Sequence, residues 1–504
     1  MISDALDLNL VSRIVGYKLA KGDFSTTTPN LPQSIAVFAE ANTANQSTLS
    51  LTPTQMTSAA QAGLAYGYGS PIYSIMRILQ PVNGGGSSIP VFVYPQLAAV
   101  ASVAKVITIT VTGTATASGK HTAQLNGRQG LDGVFYNANI LSGDTATIIA
   151  GSLRDAINAV LGSPVIATSA LGVVTLTAKW TGLTSDALNA SIVTGTNTLG
   201  ITYAVANVTA GSGTPSVTSA LNSIGASWVT LAINSYGTDT QTMSLFEAFN
   251  GIPDATTPTG RFVGNIMKPL IALTGSVADN DSTLTDARLN DVTISICPTP
   301  LSLGFQFEAA ANYAVVQGNL ANNTPHLDVE GKSLPDMPTP TSIGTMAVYA
   351  NRDVYVKKGN STVDLVGGKY VIQDFVTTYH KLGETPPQFR YVRNLTVDFN
   401  IRYAYYLLEQ INVVDHVISG DNDITSVSGV IKPKQWKGIL STTLFPDLAK
   451  RALITGVDFS QNNLSVGISS TNPDRFETAF SYKRTGTARV IATTATAGFN
   501  FGTI

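Results

Sequence analysis

Apolar positions recur along the chain in two rhythms. The unbroken runs "SIAVFAEA" and "IPVFVYP" have the length and branched content of buried strands. Between them, "TPTQMTSAAQAG" predicts a helix capped by Thr52 or Thr54 and stopped at Gly63. In "GYGSPIYSIMRIL" Ser70 is a good N-cap and Pro71 suits a first helical turn, while Ile72, Ile75, Met76 and Leu79 form an apolar stripe. Strands alternating with helices predict a mixed α/β unit.

Between about 105 and 213 the texture changes to Thr- and Val-rich alternation, as in "KVITITVTGTATA" and "VVTLTAKW". One amphipathic helix interrupts it, with Ile148, Ile149, Leu153, Ala156, Ile157, Val160 and Leu161 on one stripe. This reads as a small sheet with one helix packed on it, leaving through "GSGTPS", and therefore as an inserted domain. From 215 the first rhythm resumes with helix "SVTSALNSIG", strand "WVTLAINSY", helix "TQTMSLFEAFN", strand "NDVTISICP" and a long helix over about 302–320. A Pro-rich passage, 331–344, precedes strand "KYVIQDFVTTYH", a long helix around "VDFNIRYAYYLLEQINVV", another near 433–450, and a run of strands to the end. The final stretch from "FETAFSYKR" onward contains no proline and reads as β-rich.

The fold class expected is mixed α/β, or α+β, in several domains. They are an N-terminal arm over 1–34, an α/β domain over 35–104 with 214–330, the inserted β-rich domain over 105–213, a C-terminal domain over 345–479, and a C-terminal arm over 480–504.

Composition narrows the function. Only 12% of the 504 residues are charged, against about 25% in ordinary soluble domains. Thirty Lys and Arg against 32 Asp and Glu leave a net charge of -2, without a basic run to neutralise phosphates, so nucleic-acid binding is not expected. The start "MISDALDLNL" lacks the pattern of a secretory signal and no apolar run is long enough to span a bilayer, so the chain is expected to stay soluble. The single cysteine, Cys297 in "VTISICP", reads as a small buried apolar side chain.

Candidate chemistry is sparse. "GYGS" running into a helix has the look of a phosphate loop, but the third glycine of a dinucleotide fingerprint is replaced by Ile72 and no lysine follows. His121, His326, His380 and His416 are scattered and read as surface or capping residues rather than zinc ligands. No G-x-S-x-G nucleophile motif occurs. The acidic groups Asp279, Asp281, Asp286 and Asp291, and Asp421 with Asp423, lack the pattern of a calcium loop and read as solvated. No catalytic residue, metal site or cofactor is therefore expected, and the chain is not expected to be an enzyme.

The order "LVSRIVGYKLAKGDF", "LPQSIAVFAEAN", "YGYGSPIYSIMRILQP" and "SSIPVFVYP" resembles the N-terminal half of contractile tail sheath proteins of the phage Mu-like type. The block "GDTATIIAGSLRDAINA" with "PVIATSALGVVTLTAKWTG", and later "YVIQDFVTTYHKLGE", are similar to that family's inserted and core domains. The resemblance implies a virion structural protein, assembled in the host cytoplasm, that polymerises as stacked hexameric rings in a helical array around a tail tube. It would contract to drive the tube through the host envelope without nucleotide hydrolysis. Its partners would be other copies of itself, the tube protein, and baseplate and tail terminator proteins.

On this reading the terminal arms carry self-assembly, because a β-capable terminus can add a strand to a neighbour's sheet. The candidates are Leu8, Leu10, Val11, Ile14 and Tyr17 at one end and Phe480, Tyr482, Val490, Phe499 and Phe501 at the other. Lys483, Arg484 and Arg489 are expected to steer pairing or to make inter-subunit ion pairs, with Asp7 or other carboxylates. The plain alternative for each is an ordinary strand residue or a solvated charge. Competing functions are the sheath of a related phage-tail-like injection system, a surface or adhesin-type structural protein, another tail component, and an α/β enzyme with an unfamiliar site.

Overall fold

The computed structural model describes residues 28–253, 256–264 and 267–499. By packing they fall into two units, one of 31–400 with 486 onward, the other of the residues up to Asn30 with Ile401–Thr485.

The larger unit is built on a six-stranded sheet in the order Ile294–Pro298, Ile271–Ser276, Leu231–Asn234, Ile35–Glu40, Val91–Gln96, Thr54–Met56. The first five run parallel and the last is antiparallel. Every residue of Ile35–Glu40, Ile271–Ser276 and Ile294–Pro298 is buried, as strands covered on both faces require. On one face Ala36, Phe38, Ala232, Ala272 and Ile296 pack with Met243 and Phe246 of the helix Thr240–Asn250. The opposite face carries the helices Pro71–Leu79 and Gln306–Asn323, the latter so close that a Cβ on Gly275 would lie 1.7 Å from the carbonyl oxygen of Gln306.

The segment "TPTQMTSAAQAG" differs from expectation. Thr54–Met56 is a short edge strand and the helix is Ala59–Tyr66, capped by Ser58, whose side chain accepts from the Gln61 amide. Gly63 lies inside that helix, against the ring of Tyr68, and the helix ends at Gly67.

The expected sheet-and-helix segment is two small antiparallel sheets with one helix. Four strands run Thr202–Thr209, Val106–Thr112, Val173–Ala178, Val165–Ala170, and three run Ala190–Val193, Gly119–Leu125, Asn137–Ile140. Ile107, Ile109, Val174 and Leu176 alternate inward, and Ile149, Leu153 and Ile157 of the helix Ala146–Asn158 are buried. The stripe is narrower than its sequence implies, because Ile148 and Leu161 are exposed. A hairpin of Thr362–Val366 and Lys369–Asp374 completes this unit, with the Tyr370 hydroxyl donating to Pro300 O at 2.7 Å.

In the smaller unit the helix Pro433–Ile439 passes through a π-turn at Leu440–Leu444 into Phe445–Lys450, burying Trp436, Leu440, Leu444, Phe445 and Leu448. Beside it lie two two-stranded antiparallel ladders, Ser465–Ile468 with Phe476–Ala479 and Ile454–Thr455 with Lys483–Arg484. The β-rich reading of the tail holds only to Arg484, since 485–499 has no regular secondary structure. Of the helix Val392–Asn412, the residues up to Asn400 count with the larger unit and those from Ile401 with the smaller.

Candidate assembly surface

The glycines of "GYGS" are scaffold. Ser70 Oγ accepts from the Tyr73 amide at 3.1 Å and Pro71 opens the helix Pro71–Leu79. Ile72, Ile75, Met76 and Leu79 are all fully buried. On the helix's other side Tyr73 donates to Asp132 at 2.5 Å, and Arg77 reaches Asp336 at 3.2 Å and Glu308 at 3.9 Å. Arg128 meets the same two carboxylates, Asp336 at 2.7 Å and Glu308 at 3.3 Å. This motif therefore ties the helix to Asp132 and, through Arg77, to Asp336 and Glu308.

The remaining chemical candidates are also structural. Cys297 is buried. His121 is not a surface residue: it is fully buried, with its Nδ1 2.6 Å from the Tyr203 hydroxyl and Nε2 3.2 Å from Asn197 O. Two of the four acids read as a solvated group, Asp281 and Asp291, are buried, and Asp291 accepts from the amides of Thr293 and Ile294 and from the Thr378 hydroxyl. For Asp291 the backbone at a strand start supplies the donors that water would give a solvated carboxylate. Among the described residues there is no cluster of His, Cys, Asp and Glu suited to a metal ion. No helix of the described residues is long and apolar enough to cross a membrane. A cavity of about 470 Å³ lies at the carboxyl ends of the parallel strands, lined by Ser235, Tyr236, Asp239 and Phe307 among others.

Leu8, Leu10, Val11, Ile14, Tyr17 and Phe501, and Asp7 with them, lie outside the described residues. Of the other arm candidates, Phe480 and Tyr482 come together in the smaller unit. The Phe480 ring stacks on Tyr405 at 5.7 Å and lies 5.6 Å from Phe445 and 6.2 Å from Tyr482. Trp436 Nε1 donates to Thr478 Oγ1 at 3.2 Å, pinning the adjacent strand. Lys483 and Arg484 form the strand paired with Ile454–Thr455, and the Lys483 ammonium sits 4.3 Å over the Phe459 ring. Each ladder has two strands, so every strand keeps an edge without a ladder partner among the described residues. Such edges accept added strands.

Arg489, Val490 and Phe499 follow in the extended stretch counted with the larger unit. Val490 and Phe499 are 88% and 89% exposed. Arg489 is not solvated: its guanidinium pairs with Asp328, lies 3.2 Å from Asp374 and 4.0 Å from Glu330, and stacks over the Tyr391 ring at 3.8 Å. The three carboxylates and the ring were not legible as a site, because they lie 98 to 161 residues upstream of Arg489 and share no local motif.

No family model matches the chain. Over 428 residues, 82% of this chain and 83% of the relative, it is 26% identical to the tail sheath protein of the Mu-like prophage FluMu of Haemophilus influenzae. Solved structures with similarity include a sheath tail protein of Desulfitobacterium hafniense, 12% identical, covering 93% of this chain and 99% of the other with a TM-score of 0.44. A sheath tail protein of Listeria innocua is 10% identical, covering 92% and 94% with a TM-score of 0.46. The helical sheath of the anti-feeding prophage in its contracted state is 11% identical, covering 97% and 100% with a TM-score of 0.45. The sequence match runs through about four fifths of both proteins, and over that length the chain is similar to the tail sheath protein of a Mu-like prophage.

Proposed function

We propose that the chain is the structural subunit of a contractile phage tail sheath and not an enzyme. Copies polymerise helically as stacked hexameric rings around a tail tube, then move to a second packing that drives the tube through the host envelope. Energy is stored at assembly in a bistable lattice, so no nucleotide is hydrolysed. Tube, baseplate and tail terminator proteins are the further partners, the virion tail is the location, and assembly takes place in the host cytoplasm. The division into arms, α/β domain, inserted domain and C-terminal domain belongs to the same proposal.

The observation that carries it is the match to a tail sheath protein across 82% of the chain. Two features support it: the open-edged ladders at 454–484, and a terminal stretch whose apolar Val490 and Ile491 are 88% and 81% exposed. Edges and an apolar strand-capable segment on one chain are complementary, and a heterologous contact between them propagates without closing.

Negative-stain microscopy of the purified chain tests this. Hollow striated cylinders are expected, and they are expected to vanish when 486–504 is removed. The cut is placed after Thr485 because that residue's hydroxyl donates to Ala452 O at 2.6 Å and belongs to the folded unit. A monodisperse monomer under all assembly conditions, unaltered by the truncation, overturns the proposal.

A further inference from the structure

Arg489 is the anchor of an otherwise exposed stretch. Thr487, Ala488, Val490 and Ile491 around it are exposed, while its own side chain is only 14% exposed. The grip is specific to a guanidinium. Asp328 and Asp374 take the donors of the planar fork, and the flat face rests on Tyr391, which an ammonium matches poorly. Asp374 is itself oriented by the Thr362 hydroxyl at 3.2 Å, and Asp328 Oδ1 accepts from the Val329 amide at 2.7 Å. The socket is thus held by the body of the larger unit and not by the segment that fills it.

Three carboxylates lie within 4.0 Å of Arg489, and the charge of Arg352, which pairs with Asp364 at 2.9 Å, also favours the ionised Asp374. Burial, and after it the Asp374 charge, raises the Glu330 carboxyl, and burial lowers the Arg489 guanidinium to about 10.

We propose that Asp328, Glu330, Asp374 and Tyr391 form a guanidinium receptor that Arg489 fills within its own chain before assembly and that Arg489 of a second copy fills in the polymer. The inference rests on the sheath reading and names a contact for it. The exchange is cheap because the same ion pairs and the same ring contact are remade, so the concentration and geometry of neighbouring copies decide the occupant. Until the exchange, the anchor holds the apolar segment on its own body and restrains it from pairing with other chains.

Crosslinking distinguishes the two occupancies. Lys332 and Ala488 are exposed and flank the socket and the anchor, and the chain's single native cysteine is buried. The full-length double variant Lys332→Cys, Ala488→Cys is treated with a short bismaleimide before and after assembly. Internally linked monomers are expected before assembly and a ladder of covalent multimers after it, and adding Arg489→Ala is expected to abolish both products. Polymers that show only internal links, or a ladder that survives Arg489→Ala, overturn the exchange and leave the sheath reading standing. Failure of the unsubstituted chain to form any polymer overturns the sheath reading, and the second-copy occupant with it.

Discussion

Ser163 presents its backbone carbonyl to Gly69 so closely that a Cβ on the glycine would lie 2.1 Å from that oxygen. Gly69 also has φ +83°, a region in which an L side chain is strained. The glycine is required twice, for the turn into the helix and for the approach of the inserted segment. Gly69→Ala is expected to destabilise the chain by about 3 kcal/mol, combining backbone strain with displacement of packed backbone. Gly84→Ala is the control, because Gly84 has φ +79° but nothing within 4 Å of its Cβ position. It is expected to cost about 1 kcal/mol. Equal shifts for the two variants in thermal melts would show that the Ser163 contact contributes nothing.

What could be read in advance follows the range of the interactions. Ser70 and Pro71 act on groups three residues or fewer away, so the helix start was legible from its own letters. The Thr-Val alternation of Val106–Thr112 is likewise local, and its in-out burial matches it. The sequence pattern pointed to Thr52 or Thr54 as the cap and passed over Ser58, because the pairing of Thr54–Met56 with the strand Val91–Gln96, which moves the helix start, is not visible in local sequence. The stretch after Arg484 has strand-forming residues but no ladder partner among the described residues, so pattern alone over-assigned it. The Arg489 socket was invisible for the same reason, since its parts meet only through the tertiary fold.

Arg77 and Arg128 share Glu308 and Asp336, and Glu308 is 4% exposed. Removing one member leaves a buried charge short of its partner, which costs about 3 to 5 kcal/mol. Arg128→Met and Glu308→Gln are each expected to fall in that range. The double variant is expected to cost clearly less than the sum, because the uncompensated charge is removed too. Burial raises the Asp336 carboxyl, but Arg128 and Arg77 together more than reverse this, so its pKa lies below the usual carboxylate range. That contribution is present above the usual range and is lost as pH falls through the depressed value. Acid titration of stability should therefore lose part of its slope in an Asp336→Asn variant. Strict additivity of the two substitutions would contradict a shared network.

Phe480 is the aromatic hub that fastens Phe476–Ala479 to the smaller unit, through Tyr405, Phe445 and Tyr482. Phe480→Ala is expected to cost about 3 kcal/mol, the usual loss for a packed aromatic ring. Hydrogen exchange should place the damage: amides of Ser465–Ile468 and Phe476–Ala479 lose protection, while those of Ile35–Glu40 and Ile271–Ser276 keep it. Unchanged protection across both ladder strands would show that the ring cluster does not hold them.

Glu40, at the end of a fully buried strand, is 1% exposed, and one carboxylate oxygen, Oε1, has no hydrogen-bond partner among the described residues. The other accepts from Thr184 Oγ1 at 3.3 Å, and Thr184 in turn accepts from Trp180 Nε1 at 2.9 Å. Burial pushes the carboxyl from 4.5 up to about 8, against smaller opposing effects of its own backbone amide and of Thr184. The folded chain therefore holds a proton on Glu40 that the unfolded chain has released anywhere between those two values. Stability then falls as pH rises through that window and is flat, for this group, on either side of it. The whole decline corresponds to on the order of 5 kcal/mol. Glu40→Gln keeps the shape and removes the titration, so its melting temperature should exceed that of the unsubstituted chain at pH 8. The difference between the two should shrink toward zero as pH approaches 4.5, because the unfolded carboxyl is then protonated as well. A gap that does not change with pH would mean that Glu40 acts through packing alone and is not the source of the dependence.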